Sequence, residues 1–152
     1  MTLAAVLTVS TSRAHADDAS GDALEKACRE ASLEVVRDLV SDDRESIAAT
    51  LRRLCDDENT RFVFTTGGTG LTIDDVTPEA TRDVIDREAP GYAEAIRANA
   101  LRYTPMGLLT RGVSGTRGRT LIINFPGNPK AIGESWPVVE PTLKHAAQTL
   151  ER

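Results

Sequence analysis

The chain has 152 residues, 40% apolar and 27% charged, an ordinary balance for a water-soluble globular protein whose length predicts one compact domain over 1–152. Its net charge of −5 argues against a broad nucleic-acid surface, which rests on clustered Lys and Arg, yet leaves room for a local anion site. No stretch approaches the roughly 20 apolar residues of a membrane helix, and no basic residue precedes the first apolar run as in a signal peptide, so the sequence predicts a soluble, cytoplasmic protein.

Leu3 to Val9 is short and almost continuously apolar, the pattern of a strand buried on both faces, and the polar run "STSRAHADDASG" closes it. Leu24, Ala27, Cys28 and Ala31 then fall at helical spacing. "LEVVRDLV" (33–40) reads as a second strand. Ile47, Leu51 and Leu54 form one stripe of an amphipathic helix for which Ser41 or Asp42 is the expected cap. "RFVFTT" (61–66) is a third strand that runs into glycines. Thr77-Pro78-Glu79 starts a helix, with Thr77 as capping hydroxyl, and that helix is expected to reach about Glu88. A further helix covers Tyr92 to Leu101, and "TRGVSGTRG" reads as a loop or short irregular element. "RTLIINF" is another buried strand and meets the turn "PGNPKA". The last 20 residues are helical in composition, with a break or kink implied by Pro137 and Pro141.

Strands and helices alternate, so a layered α/β sheet is the economical architecture. Aromatics are scarce, and Val, Ile, Leu and Ala must fill most of its core. Ligands in such sheets collect outside the carboxyl ends of the strands. Three of those ends carry special chemistry here: "TVSTSR", "TTGGTGLTIDD" and "INFPGNP". Cys28 and Cys55 lack CxxC spacing, which leaves a disulfide open but makes two free thiols on helices the plainer reading. His15 and His145 have no partner at ligand spacing, so a structural zinc site is not expected.

Gly67, Gly68 and Gly70 allow positive φ and close approach of a ligand to backbone N–H groups, and Thr65, Thr66 and Thr69 can add hydroxyl donors. The spacing is neither GxxxxGK[ST] nor GxGxxG. A phosphate cradle ordinarily repels carboxylates, so Asp74 and Asp75 beside it need a reason. Mg²⁺ supplies one, because it takes one or two carboxylates together with substrate phosphate oxygens. The plainer alternative is a helix-capping aspartate next to a solvated loop acid.

"TTGGTGLTIDDVTPEAT" together with "LIINFPGNPKAI" resembles the molybdopterin-binding domain of the Mog/MoaB type, the molybdopterin adenylyltransferases, over essentially the whole chain. The resemblance implies a three-layer αβα sandwich around a mostly parallel mixed sheet, assembled as a trimer or hexamer. It implies Mg²⁺-dependent transfer of AMP from ATP to the terminal phosphate of molybdopterin, with release of pyrophosphate, and a MoeA-type metal insertase as partner. Carried over by position, Asp75 and Asp42 are the implied catalytic and metal-handling acids, with Asp43 as competitor for the second role. Gly67, Gly68, Thr69 and Gly70 match the loop holding the phosphate end of the pterin substrate, and Ser10 ends the first strand beside it. Pro126, Gly127, Asn128 and Pro129 match the loop facing the same cleft. Thr110 and Arg111 stand where the family commonly has Ser-Arg; the guanidinium is either an anion grip or a surface salt bridge. Two positions depart from the family: Thr11 replaces the acid of VSD, and Asp74 replaces a base. Two other readings share this fold. One is a non-catalytic pterin-binding oligomer, and the other is a CinA-type nucleotide-processing hydrolase.

Overall fold

The computed structural model describes residues 1–12 and 17–152. Its frame is a six-stranded sheet of order β2-β1-β3-β6-β5-β4. β1 (Leu3–Val9), β2 (Glu34–Val40), β3 (Thr60–Thr66) and β6 (Thr120–Phe125) run parallel; β5 (Ser114–Arg117) is antiparallel to β6, and β4 (Arg87–Glu88) to β5. Helices α1 (Ala19–Glu30), α4 (Gly91–Ala100), α5 (Pro129–Val139) and α6 (Leu143–Leu150) supply residues to the core on one face. On the other lie α2 (Arg44–Asp56) and α3 (Thr77–Arg82). This is the expected αβα sandwich. Alternation along the strands builds both cores: Val6, Phe64 and Ile123 face the first set of helices, and Leu7, Val63 and Ile122 face the second. Among the described residues no helix is long and apolar enough to cross a membrane.

The scarce aromatics are concentrated rather than scattered. Phe64 stands edge-on to both Phe125 and Trp136, each at a centroid distance of 5.6 Å, and Phe62 stacks beside it. Cys28 and Cys55 are free and buried on opposite faces, and burial pushes each thiol up to about 12. Asp18, buried at the start of α1, accepts from the Gly21 amide, the Thr8 hydroxyl and the Arg37 guanidinium. Burial opposes its ionisation, but those three donors outweigh it and hold the carboxyl below the usual range. The network ties the end of β1 to α1 and β2. His15 lies outside the described residues.

Several expectations are corrected. α3 stops at Arg82 rather than near Glu88 because Arg87–Glu88 pair with Gly115–Thr116 as β4. Val84 and Ile85, β-branched and poor helix extenders, pack against the sheet instead. The segment "TRGVSGTRG" contains a true strand, β5. The cap of α2 is Asp43, which accepts from the Ser46 amide and hydroxyl, not Ser41 or Asp42. α3 has Val76 at its cap, with no side-chain bond, while Thr77 turns toward the glycine loop. Near the C-terminus α5 passes through Pro137, and the break falls at a 3-10 turn, Glu140–Thr142.

Candidate active site

β1, β3 and β6 are neighbours in the sheet and parallel, so the three chemically special strand ends emerge along one edge. Their loops touch. Gly67 adopts φ +96° with its Cα so close to β1 that an added Cβ would stand 2.3 Å from the Val9 carbonyl oxygen. Gly68, at φ +72°, leaves no room for a Cβ beside the Thr77 hydroxyl. Thr77 Oγ1 donates to the Gly67 carbonyl at 2.9 Å, and the Thr77 amide donates to Gly68 O at 3.1 Å, so α3 staples the loop. Thr66 Oγ1 donates to Pro126 O at 2.7 Å, joining the glycine loop to the PGNP turn. Below them, the buried Asn124 amide donates to Thr65 and Thr81 hydroxyls, and its Oδ1 accepts from Val113 N–H. The Thr65 and Thr66 hydroxyls are thus spent inside the fold, and Thr69 is the loop threonine that faces the cleft.

Asp75 lies just past the loop, and its Oδ2 accepts from the Thr72 amide at 3.0 Å and the Thr72 hydroxyl at 2.9 Å. Asp42 reaches the same loop from the end of β2: its Oδ1 lies 3.3 Å from where a Cβ on Gly68 would stand. Its Oδ2 accepts from the amide and hydroxyl of Thr11. With Asp43 taken up in the helix cap, Asp42 is the acid of that pair turned toward the glycines. Ser10 follows β1, its amide donating to Val40 O.

Arg111 has a different place from an open anion grip. Its Nη1 and Nη2 hold Glu79 bidentately at 2.8 and 3.1 Å, Nε donates to Gly70 O at 2.8 Å, and Nη2 donates to Asp75 O at 2.7 Å. Its own amide donates to Thr69 O. One side chain therefore clamps both ends of the 70–75 segment and fastens them to α3. Glu79 is held below the usual carboxylate range by the hydrogen-bonded guanidinium of Arg111.

The loops enclose a cavity of about 400 Å³. Gly68, Thr69, Gly70, Asp75, Thr110, Pro126, Gly127 and Asn128 line it, joined by Ala100, Met106, Leu109 and Glu134. Gly67, Ser10, Asp42, Arg111 and Pro129 lie outside that lining. Asn128 caps α5 through the Ala131 amide, and Pro129 opens the helix, so the amino end of α5 faces the cavity. The charged side chains in the lining are Asp75 and Glu134, both acids. A larger cavity of about 550 Å³, bordered by Thr2, Phe62 and Lys144, opens at the opposite end of the strands, away from these loops.

Residues 5–145 match the family model described as the probable molybdopterin binding domain. The chain belongs to that family. It is 37% identical over 137 residues to a Helicobacter pylori protein named molybdopterin adenylyltransferase, an alignment covering 88% of this chain and 78% of that one. The solved structure of the molybdopterin biosynthesis enzyme MoaB from Thermus thermophilus superposes with a TM-score of 0.89 at 43% identity, covering 99% of this chain and 96% of its own. A structure of molybdenum cofactor biosynthesis protein B gives 0.92 at 31% identity, covering 99% and 96%.

In this molybdopterin-binding domain the sequence pointed to most of the cavity's glycine and proline lining. It missed the apolar wall of Met106 and Leu109, whose signal was a run of apolar residues too short to assign, and the part played in it by Ala100 at the end of α4. It also missed Glu79 and Asn124. A polar residue inside "LIINF" was the available sign for Asn124.

The Glu79–Arg111 brace has a pH signature. A carboxyl with a depressed folded pKa contributes stability above its unfolded pKa and loses it as pH falls through the folded value. The thermal midpoint of wild type should exceed that of Glu79→Gln at neutral pH, and the gap should close below about pH 4. A gap independent of pH would show that the ion pair is not its source.

Proposed function

We propose that this chain is a molybdopterin adenylyltransferase that transfers AMP from ATP to the terminal phosphate of molybdopterin and releases pyrophosphate. The family and the named relatives support this, and one observation carries it: a cleft suited to phosphate, with glycine amides and a helix amino end, is walled, among the described residues, by carboxylates and no basic side chain. Such a cleft admits polyphosphate only if a cation accompanies it. Asp42 and Asp75 suit Mg²⁺, which needs one or two protein carboxylates when substrate phosphates complete the coordination. Among the described residues no group of three or more His, Cys, Asp or Glu is placed to hold a metal by itself, consistent with a cation shared with substrate. When bound, Mg²⁺ would neutralise phosphate charge and favour displacement at phosphorus.

The chain's own residues then have positioning tasks. A terminal phosphate oxygen of molybdopterin attacks the α-phosphorus of ATP, and the bond from that phosphorus to the pyrophosphate oxygen breaks. A phosphate monoester with a second pKa near about 6 is already largely dianionic at neutral pH, so no protein base is required. The amides of Gly68–Gly70 and the Thr69 hydroxyl would orient the phosphate, while Ala100, Met106 and Leu109 receive the uncharged part of the substrate. Ile73 and Leu108, exposed at 94% and 72%, support a trimer or hexamer in which such side chains are covered. A cytoplasmic location and hand-over to a MoeA-type insertase complete the reading.

Pyrophosphate release from ATP and Mg²⁺ should require molybdopterin and fall at least about 100-fold in Asp75→Asn, the loss expected when a charge-stabilising group is removed. Binding of molybdopterin should stay largely intact in that variant. Tight pterin binding without release in wild type would identify a carrier instead. Sedimentation at micromolar concentration should give an oligomer; a clean monomer would remove that part of the reading.

A further inference from the structure

We propose that Thr11 and Thr72 are positioning residues for the two acids, each fixing one oxygen of its carboxylate without neutralising the charge. The inference rests on reading Asp42 and Asp75 as the acids that hold the cation.

The two sites repeat one pattern. Thr11 donates its amide at 3.1 Å and its hydroxyl at 3.0 Å to Asp42 Oδ2, and its Oγ1 accepts from the Asp42 amide at 3.1 Å. Thr72 donates its amide at 3.0 Å and its hydroxyl at 2.9 Å to Asp75 Oδ2. In both cases a single threonine gives two donors to one oxygen. The terminal torsion of aspartate is soft and roughly two-fold, so two donors on the same oxygen select one orientation where solvent alone would not. A carboxylate offers about four acceptor sites, so this grip leaves lone pairs on the other oxygen. For Asp42 that other oxygen is the one beside Gly68.

The contrast with the arginine-paired acids of the molecule is electrostatic. Asp18, Asp38, Asp56, Glu79 and Asp83 are each paired with an arginine. Among the described residues, Asp42 and Asp75 have no such ion pair; neutral donors hold them, as Ser46 holds Asp43, but Asp43 is spent capping α2 whereas these two acids stand at the glycine loop. Even Arg111, which passes beside Asp75, bonds its backbone carbonyl and gives its fork to Glu79. Neutral donors thus hold both acids at a fixed orientation, without a direct ion pair among the described residues to occupy them.

The test compares wild type with Thr11→Val, Thr11→Ser, Thr72→Val and Thr72→Ser. Binding of Mn²⁺ to the protein–ATP complex is read by electron paramagnetic resonance, together with the thermal midpoint and the kcat and KM of pyrophosphate release. Each valine variant should weaken Mn²⁺ binding about tenfold, the loss expected for one hydrogen bond to a charged acceptor. Each serine variant should restore it, while thermal midpoints and the KM for molybdopterin stay unchanged. Unaltered Mn²⁺ affinity in either valine variant, or failure of serine to restore it, overturns the proposal. If wild type releases no pyrophosphate, the adenylyltransferase reading falls, while the Mn²⁺ series still decides the role of the threonines.

Discussion

The site depends on a single close approach. Gly67 crosses the end of β1 at a distance where a Cβ would overlap the Val9 carbonyl, and Gly127 comes up against Gly67 from β6. Because β1, β3 and β6 are adjacent and parallel, this contact draws three loops over one edge of the sheet. The Thr77 hydroxyl bond to Gly67 and the Thr66 bond to Pro126 then hold them there. A bulkier residue at Gly67 would part the loops and open the cavity between them.

Electrostatics decides what such a cleft can do. Among the described residues, the guanidinium beside it, on Arg111, is taken up by Glu79 and by the carbonyls of Gly70 and Asp75. What faces the ligand is a set of neutral amides, the amino end of α5 and acid side chains. Neutral donors orient phosphate without binding it strongly against neighbouring carboxylates, which is the ground for proposing a divalent cation as partner. The proposed nucleophile, supplied by the substrate, would also account for a cleft whose lining, among the described residues, has no cysteine, histidine or serine.

Features governed by burial were the most legible in the sequence. β1 and β6 have near-continuous apolar runs and β3 a compact Phe-Val-Phe core, and their extents follow the pattern within a residue or so. Features settled by tertiary partners were not. α3 is short because Arg87–Glu88 find β5, a pairing no local signal announces. The neighbours Asp42 and Asp43 are chemically identical, and only the extended backbone at Asp43 (φ −130°, ψ 121°) makes it the cap and frees Asp42 for the loop. Arg111 followed the same rule: a motif position identified it, but its fork was claimed by an acid 32 residues away. The glycines and prolines of the site were readable because each is there for backbone geometry, which sequence records directly.

The central claim is that phosphate enters this cleft only with a cation held by Asp42 and Asp75. ATP affinity measured by calorimetry across a Mg²⁺ titration tests it most directly, for wild type and for the double variant Asp42→Asn, Asp75→Asn. Wild type should bind ATP weakly in chelator and strengthen steeply with Mg²⁺, while the double variant should bind metal-free ATP better than wild type and gain little from Mg²⁺. Equal wild-type affinity with and without Mg²⁺ would contradict the account.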